Sequence, residues 1–306
     1  MKPRRLALLA CASLAALTFS ACGSDSLGTS AAPGGGNDTA ESIPAVSPNP
    51  ALTERLPENI RSANKIVVGT DATYAPNEFL DTDGRTVIGA DVDLFNAVAA
   101  KLGVPEVEWQ PAGFDTIITG VQGNKFNAGV SSFTINERRL EQVHMVSYFD
   151  AGTQWATAAG NPKDVDPENA CGKTIAVQTG TIQDEDDLPV RQEKCGDNKI
   201  NILQFEGQDQ ATAAVVSGRA DAMLADSPII AYAVKQSEDK LAALGDIYDS
   251  APYGIVVHKD QTEFAEAVAE ALNELKADGT YEAILEKWGT EQGAIDQFEV
   301  NPTVGS

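Results

Sequence analysis

From Lys65 onward, the apolar positions of the chain follow two alternating spacings, one typical of strands and the other of helices. KIVVGT predicts a buried strand. In DVDLFNAVAAKLG, apolar residues recur at a helical spacing from Phe95 to Leu102, and Gly103 ends the pattern. EVEW then predicts a second strand, FDTIITGVQ a second helix and FNAGVSS a third strand. This alternation predicts an α/β fold with parallel strands.

The same pattern restarts in the second half of the chain. GKTIAVQTG, NILQF and ADAMLAD predict strands, DQATAAVVSG predicts a helix, and SPIIAYAVKQ predicts another with Ser227 as N-cap and Pro228 in its first turn. GIVVHK predicts one more strand, followed by two helices. In each half a predicted strand ends in polar residues, Ser131 and Ser132 in one and Asp226 in the other. Two similar lobes facing each other predict a ligand cleft at these strand ends.

The first 21 residues form a predicted signal peptide. Lys2, Arg4 and Arg5 precede an apolar run that is too short to cross a bilayer, and small residues follow it. A short buried helix is the alternative. Cys22 follows in a segment that resembles a bacterial lipobox, although Phe19 stands where leucine is usual. We therefore expect a lipoprotein whose Cys22 carries palmitate or similar acyl chains that anchor it to the cell membrane.

Residues 22–57 are rich in Gly, Ser, Ala, Pro, Asn and Asp, which predicts a flexible linker. The formal net charge is −23, and removal of the signal peptide leaves 19 basic against 45 acidic residues, or −26. This charge argues against nucleic acid as a partner, because neutralising phosphates requires clustered Lys and Arg. Strong acidity is typical of a soluble extracytoplasmic protein.

The few cysteines and histidines of the chain also limit which disulfides and metal sites it can form. Cys171 and Cys195 remain once Cys11 leaves with the signal peptide and Cys22 is acylated, and in an exported protein they predict one disulfide. The only histidines, His144 and His258, lie far from them in sequence, so we expect no metal. No cofactor is expected either.

The order of these motifs resembles bacterial extracellular solute-binding proteins of family 3, which deliver amino acids to ABC importers. The matching segments are VGTDATYAPNEFLDTDGRTVIGADVDLFNAVAAKLG, GFDTIITGVQGNKFNAGVSSFTINERR, GKTIAVQTGT, GRADAMLADS and ADGTYEAILEKWG, which together span about residues 65 to 290. The resemblance implies a two-lobed periplasmic-binding-protein type II fold with two hinge strands and mixed, mostly parallel sheets. It implies a first lobe at 58–152 and 253–306, a second at 153–252, and hinges near Ala151–Thr153 and Ser250–Tyr253.

The resemblance also implies how the two ends of an amino acid are held. Arg139 matches the arginine that clamps the ligand carboxylate, and Arg138 is interpreted as a solvated helix charge. Ser132 and Thr134 are expected to accept hydrogen bonds from the ligand ammonium, and Asp226 to neutralise it. A cap of the following helix is the alternative role of Asp226, and both roles can coexist.

The resemblance assigns further residues of this sequence to the ligand-binding site. Thr181 and the backbone N–H of Ile182 are expected to complete the carboxylate site. Tyr74 and Phe114 match aromatic residues that cover the ligand side chain, although core packing is an alternative for both. Asp71 matches a carboxylate that meets side-chain nitrogen in relatives that bind Lys, Arg or His, but it also occurs in glutamine binders. The adjacent residues Asn77 and Glu78 either alter the pocket or face water.

These expectations favour a monomeric binding protein for a polar or basic amino acid, which closes its lobes on the ligand and serves membrane permease subunits of an ABC importer. Two other functions stay open. One is an enzyme resembling cyclohexadienyl dehydratase, which shares this architecture, and the other is a lipoprotein that senses a ligand for a kinase. The sequence has no Ser–His–Asp order, metal spacing or phosphate-binding glycine loop, so we expect no enzyme.

Overall fold

The structure, a computed structural model, describes residues 43–304. The predicted signal peptide, Cys22 and residues 22–42 of the predicted linker lie outside this range. The α-helices are α1 (Pro50–Thr53), α2 (Glu58–Ala63), α3 (Ala90–Lys101), α4 (Phe114–Gln122), α5 (Glu137–Gln142), α6 (Leu188–Glu193), α7 (Gln208–Val216), α8 (Ser227–Gln236), α9 (Thr262–Ala277) and α10 (Thr280–Trp288). A π-helix spans Gln183–Asp187, and a 3-10 turn spans Glu291–Gly293.

The strands are β1 (Lys65–Thr70), β2 (Thr73–Tyr74), β3 (Glu78–Leu80), β4 (Val87–Ile88), β5 (Glu106–Pro111), β6 (Ala128–Gly129), β7 (His144–Ala158), β8 (Thr174–Gln178), β9 (Asn201–Phe205), β10 (Ala222–Asp226) and β11 (Leu241–Val257). The large sheet has the order β5-β1-β6-β11-β7-β10-β8-β9, and β2, β3 and β4 form a small antiparallel sheet.

The two ends of the large sheet belong to two α/β lobes. In the first lobe β1 pairs in parallel with β5 and β6, and in the second β8 pairs in parallel with β9 and β10. Each lobe has its own buried clusters, with Phe95 and Phe264 in the first and Trp155 and Ile230 in the second. The predicted α/β fold with two lobes and parallel pairing is confirmed.

Strands β7 and β11 are the long antiparallel pair that joins the lobes. They contain 15 and 17 residues, and their register is irregular between Leu244 and Gly254. The predicted hinges near Ala151–Thr153 and Ser250–Tyr253 fall in this irregular segment. Only the end of β11 was predicted, as GIVVHK, because the earlier part of the strand is largely exposed and lacks an apolar run.

The predicted linker is wrong for residues 43–57. Leu52 and Leu56 are buried in the core of the first lobe, and Asn49 caps α1 while its amide donates to Glu274 at 2.6 Å. This segment is ordered because two leucines four positions apart reach the same apolar surface beside α9. The prolines around them, Pro44, Pro48, Pro50 and Pro57, hid that pattern in the sequence.

Several smaller features also differ from or agree with the prediction. Helix α8 begins at Ser227, so the residue at its N-cap position is Asp226 rather than Ser227. The predicted third strand FNAGVSS shortens to β6, because the chain turns at Ser132 with φ of 51°.

The predicted disulfide between Cys171 and Cys195 is present in the second lobe. Between residues 43 and 304, no helix has the length and apolar character needed to cross a membrane.

Candidate functional site

Polar strand ends from both lobes meet in one cleft. Asp71 follows β1 and Ser131 follows β6 in the first lobe, while Gln178 ends β8 and Asp226 ends β10 in the second. Each is buried. The cleft lies at the carboxyl ends of parallel strands, which is where ligands bind in open α/β sheets.

Arg139 is positioned by the first turn of α5. The backbone N–H of Arg139 donates to the capping side chain of Asn136 at 2.9 Å. Its guanidinium donates through Nη1 to the Thr134 carbonyl at 2.7 Å and through Nη2 to the Gly180 carbonyl of the second lobe at 3.1 Å. Two of its five N–H donors are thus used by backbone oxygens, and the planar fork is fixed in orientation.

The surroundings of this guanidinium are apolar. Its Cζ lies 5.4 Å from the ring centroid of Phe114 and 5.5 Å from that of Phe133, and the two rings stack at 4.6 Å. Only 5% of Arg139 is exposed, and this burial lowers the pKa of its guanidinium to about 10. Arg139 therefore keeps its charge at neutral pH in a site where an anion would be strongly attracted.

Asp226 presents the opposite charge from the second lobe. Its Oδ2 accepts hydrogen bonds from Tyr74 at 2.8 Å and Tyr253 at 2.7 Å, and its Oδ1 accepts one from Gln183 at 2.8 Å. Burial raises the pKa of Asp226, while these hydrogen bonds and the charge of Arg139 act to lower it. Its side chain makes no capping bond to α8, so the structure does not support the helix-cap alternative.

Asp71 is surrounded by protein donors. Its Oδ1 accepts from the backbone N–H of Thr73 at 3.1 Å and from the Thr73 hydroxyl at 2.5 Å. Its Oδ2 accepts from the backbone N–H of Phe114 at 3.2 Å and from the Gln178 amide of the opposite lobe at 3.0 Å. Burial raises the pKa of Asp71 to about 6. Four donors occupy most of the acceptor capacity of this carboxylate.

A buried acidic cluster lies beside the predicted ammonium site. The Ser132 hydroxyl lies 3.3 Å from both Glu78 Oε2 and Asp91 Oδ2, and it accepts from Asn77 at 2.9 Å. Tyr148 also donates to Asp91. The alternative in which Asn77 and Glu78 face water is wrong, because both are buried in this cluster. Burial together with the neighbouring Asp91 raises the pKa of Glu78 well above its usual value.

The remaining predicted residues line the same cleft or adjoin it. Thr134 is buried and pairs through its backbone with Tyr253. The Thr181 hydroxyl donates to the Gln178 carbonyl at 2.8 Å, and Ile182 immediately precedes the π-helix. The contacts described connect eight of the nine predicted ligand-binding residues, directly or through neighbours: Asp71, Tyr74, Phe114, Ser132, Thr134, Arg139, Thr181 and Asp226. Ile182 is placed only by its position between Thr181 and Gln183.

Arg138 is an exposed charge on α5, as predicted, and it also forms ion pairs with the opposite lobe. It donates to Glu185 at 2.6 Å and to Asp186 at 3.2 Å, both on the π-helix of the second lobe. Its side chain is 46% exposed, so these ion pairs lie at the rim of the cleft rather than inside it. Arg138 therefore contacts the opposite lobe through acidic side chains at the rim, whereas Arg139 contacts it through the Gly180 carbonyl.

Three polar groups of the site were missed by sequence reasoning. Tyr253 and Gln183 hold Asp226, and Gln178 connects the lobes through Asp71. Gln183 lies close to the predicted TGT turn, which is the only sequence signal for it. The part of the chain that the structure describes contains no group of three or more His, Cys, Asp or Glu side chains placed to hold a metal ion.

Comparisons with known proteins agree with this geometry. The profile of the bacterial extracellular solute-binding proteins, family 3, matches residues 66–291. An arginine-binding protein of Corynebacterium glutamicum is 37% identical over 257 residues, which is 83% of this chain and 84% of the relative. The solved structure of an ancestral arginine-binding protein bound to arginine has a TM-score of 0.69 and 35% identity, covering 74% of this chain and 98% of that one.

A third similar protein connects the fold to catalysis. It is an ancestral amino acid-binding protein described as a precursor of cyclohexadienyl dehydratase. Its structure has a TM-score of 0.68 and 34% identity, covering 76% of this chain and 98% of that one. Both of these structures are described as those of binding proteins.

Proposed function

The chain belongs to the bacterial extracellular solute-binding proteins of family 3, and from this membership we propose that it binds a free amino acid outside the membrane and delivers it to an ABC importer. One observation carries the proposal: two buried side chains of opposite charge, Arg139 and Asp226, face one cleft from opposite lobes. An amino acid carries the complementary pair of charges. It favours the closed arrangement because it contacts both lobes at once.

The carboxylate end of the ligand is assigned to Arg139. A guanidinium fork donates two parallel hydrogen bonds to a carboxylate, and the low polarity beside Phe114 and Phe133 strengthens them. Thr181 and the backbone N–H of Ile182 are assigned to the same end of the ligand, and the contact of the preceding Gly180 carbonyl with Arg139 supports this assignment. The Thr181 hydroxyl already donates to the Gln178 carbonyl, so the backbone N–H is the donor that Thr181 would contribute.

The ammonium end is assigned to Asp226, with Ser132 and Thr134 as neutral acceptors. An ammonium donates three hydrogen bonds, and one ionised carboxylate with two uncharged oxygens satisfies it. Tyr74 and Phe114 provide aromatic surface for the ligand side chain, and Asp71 contributes negative charge beside it. These groups favour a polar or basic amino acid, and arginine is the first candidate because two of the three similar proteins named above are described as arginine-binding proteins.

The remaining parts of the proposal concern location and partners. The first lobe is proposed to comprise residues 58–152 and 253–306, and the second 153–252. Acylation at Cys22 after removal of residues 1–21 would hold the protein at the outer face of the cell membrane. There it would act as a monomer and present the closed form to the permease subunits of the importer.

The function is tested by calorimetric titration of the protein, first freed of ligand by unfolding and refolding. The twenty amino acids are compared with agmatine, which is arginine without its carboxylate, and with Nα-acetyl-arginine, which lacks the ammonium. We expect at least one polar or basic amino acid to bind, and both arginine analogues to bind at least about a hundredfold more weakly than arginine. Equal binding of arginine and the two analogues would contradict the proposal.

The same experiment separates binding from catalysis. After prolonged incubation, the bound compound is recovered and its mass determined. A binding protein returns every ligand chemically unchanged. Conversion of a cyclic acid such as prephenate would instead support the dehydratase-like alternative.

A further inference from the structure

The small sheet of the first lobe contacts the second lobe through strand β2. The Thr73 hydroxyl accepts a hydrogen bond from the backbone N–H of Gln208 at 3.0 Å. Gln208 is the first residue of helix α7. The small sheet also approaches α8, where the ring centroids of Phe79 and Tyr232 lie 6.2 Å apart. Thr73 thus connects the lobes, although it is not among the residues assigned to the ligand.

Helix α7 lacks a capping side chain of its own. The first turn of a helix leaves backbone N–H groups without partners inside the helix, and an N-cap side chain usually accepts a hydrogen bond from one of them. The N-cap residue of α7 is Gly207, which has no side chain. A Cβ atom on Gly207 would lie only 3.1 Å from Oγ1 of Thr73. Glycine at this position therefore leaves room for the Thr73 hydroxyl to cap the helix from the opposite lobe.

The direction of these hydrogen bonds is fixed by Asp71. Thr73 Oγ1 lies 2.5 Å from Asp71 Oδ1, and a carboxylate oxygen accepts, so the hydroxyl donates its proton to Asp71. A backbone N–H can only donate, so a lone pair of Thr73 Oγ1 faces Gln208. Two consecutive hydrogen bonds thus run from α7 through Thr73 to Asp71, and a negative charge at their end is favourable near a helix N-terminus.

A second bridge joins Asp71 to the same part of the second lobe. The Gln178 amide donates to Asp71 Oδ2 at 3.0 Å and to the backbone carbonyl of Glu206 at 3.1 Å. Glu206 and Gln208 flank Gly207, so both carboxylate oxygens of Asp71 are connected to the segment that begins α7. Moving the lobes apart would leave the Gln208 N–H to water, whereas the bond from Thr73 to Asp71 lies within the first lobe and would remain.

We propose that Thr73 is a positioning residue for lobe closure: its hydroxyl caps α7 of the opposite lobe in the closed arrangement and thereby slows release of the bound amino acid. The inference rests on the proposed function and deepens it, because it adds a closing contact that acts without touching the ligand. Such a contact forms only as the lobes meet. Its loss therefore raises the dissociation rate constant and leaves the association rate constant nearly unchanged.

The test compares Thr73→Val, which keeps the branched shape but removes the hydroxyl, with Thr73→Ser, which restores it. Rate constants for arginine are measured by surface plasmon resonance on the immobilised protein. Thr73→Val is expected to raise the dissociation rate constant about three- to tenfold and to change the association rate constant less than about twofold. Thr73→Ser should restore slow release. Thr86→Val is the control, since it removes a comparable hydroxyl bond, from Thr86 to Asp83 at 2.6 Å, in the exposed turn between β3 and β4; it should change neither constant.

Hydrogen exchange of the Gln208 amide, measured by NMR with arginine bound, tests the cap itself. Thr73→Val should speed this exchange by about threefold or more. The amide of Gln210 donates to the Gly207 carbonyl within the same lobe at 3.2 Å and should exchange as before. Faster release with unchanged exchange at Gln208 would overturn the inference, because Thr73 would then act only through Asp71.

An unchanged dissociation rate constant for Thr73→Val would overturn the inference as well. If arginine does not bind the unaltered protein, the amino acid that binds best in the calorimetric titration replaces it, and failure of all twenty would remove the proposed function too. If Thr73→Val does not fold, the unaltered protein decides: adding arginine should slow exchange at Gln208 at least about threefold more than at Gln210. Equal slowing at both amides would contradict the cap.

Discussion

Glu78 and Asp91 share a buried cluster in the first lobe, and each influences the other's protonation. Burial and the adjacent Asp91 raise the pKa of Glu78 well above its usual value, and burial raises the pKa of Asp91. The folded chain therefore holds a proton that the unfolded chain releases above about pH 4 to 5. Each such proton makes the free energy of unfolding fall by about 1.4 kcal/mol per pH unit until the folded-state pKa is passed.

Glu78→Gln is expected to remove this pH dependence. The amide can still donate within the cluster but no longer titrates, so the variant should gain stability relative to the unaltered protein as the pH rises from 5.5 to 8. Urea unfolding at both pH values measures the difference. Glu58→Gln changes an exposed residue of α2 and should leave the pH profile as it was. Parallel profiles for Glu78→Gln and the unaltered protein would contradict the assigned protonation.

The residues of the site differ in how far the sequence could predict them. Arg139 and Asp226 lie in segments whose motifs resemble a known family, so their positions could be carried over. The partners of Asp226 could not, because Tyr74 is 152 positions away and Tyr253 is 27 positions away. Glu78 lies at the start of a three-residue strand without a clear apolar pattern, and its burial follows from the tertiary fold.

At the scale of elements, α5 and the π-helix meet across the rim of the cleft. Arg138 on α5 pairs with Glu185 and Asp186, while Gln183 on the same π-helix contacts Asp226. The Arg138 ion pairs join the two lobes, whereas the Gln183–Asp226 contact lies within the second lobe, so an open arrangement would lose the ion pairs but keep that contact. We expect Arg138 to stabilise the closed form for every ligand alike.

Arg138→Gln should weaken binding of all amino acids by a similar factor, about two- to tenfold, because half-exposed ion pairs contribute little in water. The affinity should also become less sensitive to salt, since screening acts on the ion pairs that the variant lacks. Calorimetry at low and high salt measures both effects. Arg61→Gln, which breaks an ion pair with Glu58 within α2, is the matched control and should change neither. A changed preference among amino acids would contradict a role limited to closure.

The elements themselves show why some were predictable. Helices α3, α4 and α7 and strands β1 and β9 carry local apolar patterns, and the sequence located them within a few residues. The long strands β7 and β11 were not anticipated at full length, because they are stabilised by pairing with each other across the lobes. Leu52 and Leu56 were missed for a similar reason, since the surface that buries them is supplied by a distant part of the chain.

On the scale of the whole molecule, the site buries one basic and one acidic side chain, Arg139 and Asp226, in a strongly acidic protein. A net charge of −23 favours cations at the surface, yet Arg139 is buried beside the stacked rings of Phe114 and Phe133 and contacts the second lobe. A ligand carboxylate that enters the cleft is attracted by this guanidinium, although the protein as a whole is negatively charged. An acidic protein can therefore bind a zwitterion and discriminate against simple anions.

The most direct test of this account is the affinity of Arg139→Ala for the amino acid that the unaltered protein binds best, with Arg138→Ala as the neighbouring control. Removing a buried guanidinium that holds the ligand carboxylate is expected to lower affinity by at least about a thousandfold. Arg138→Ala removes only the ion pairs at the rim and should lower affinity by less than about tenfold. Binding of that amino acid by Arg139→Ala at the affinity of the unaltered protein would contradict the central claim that a zwitterion is held between Arg139 and Asp226.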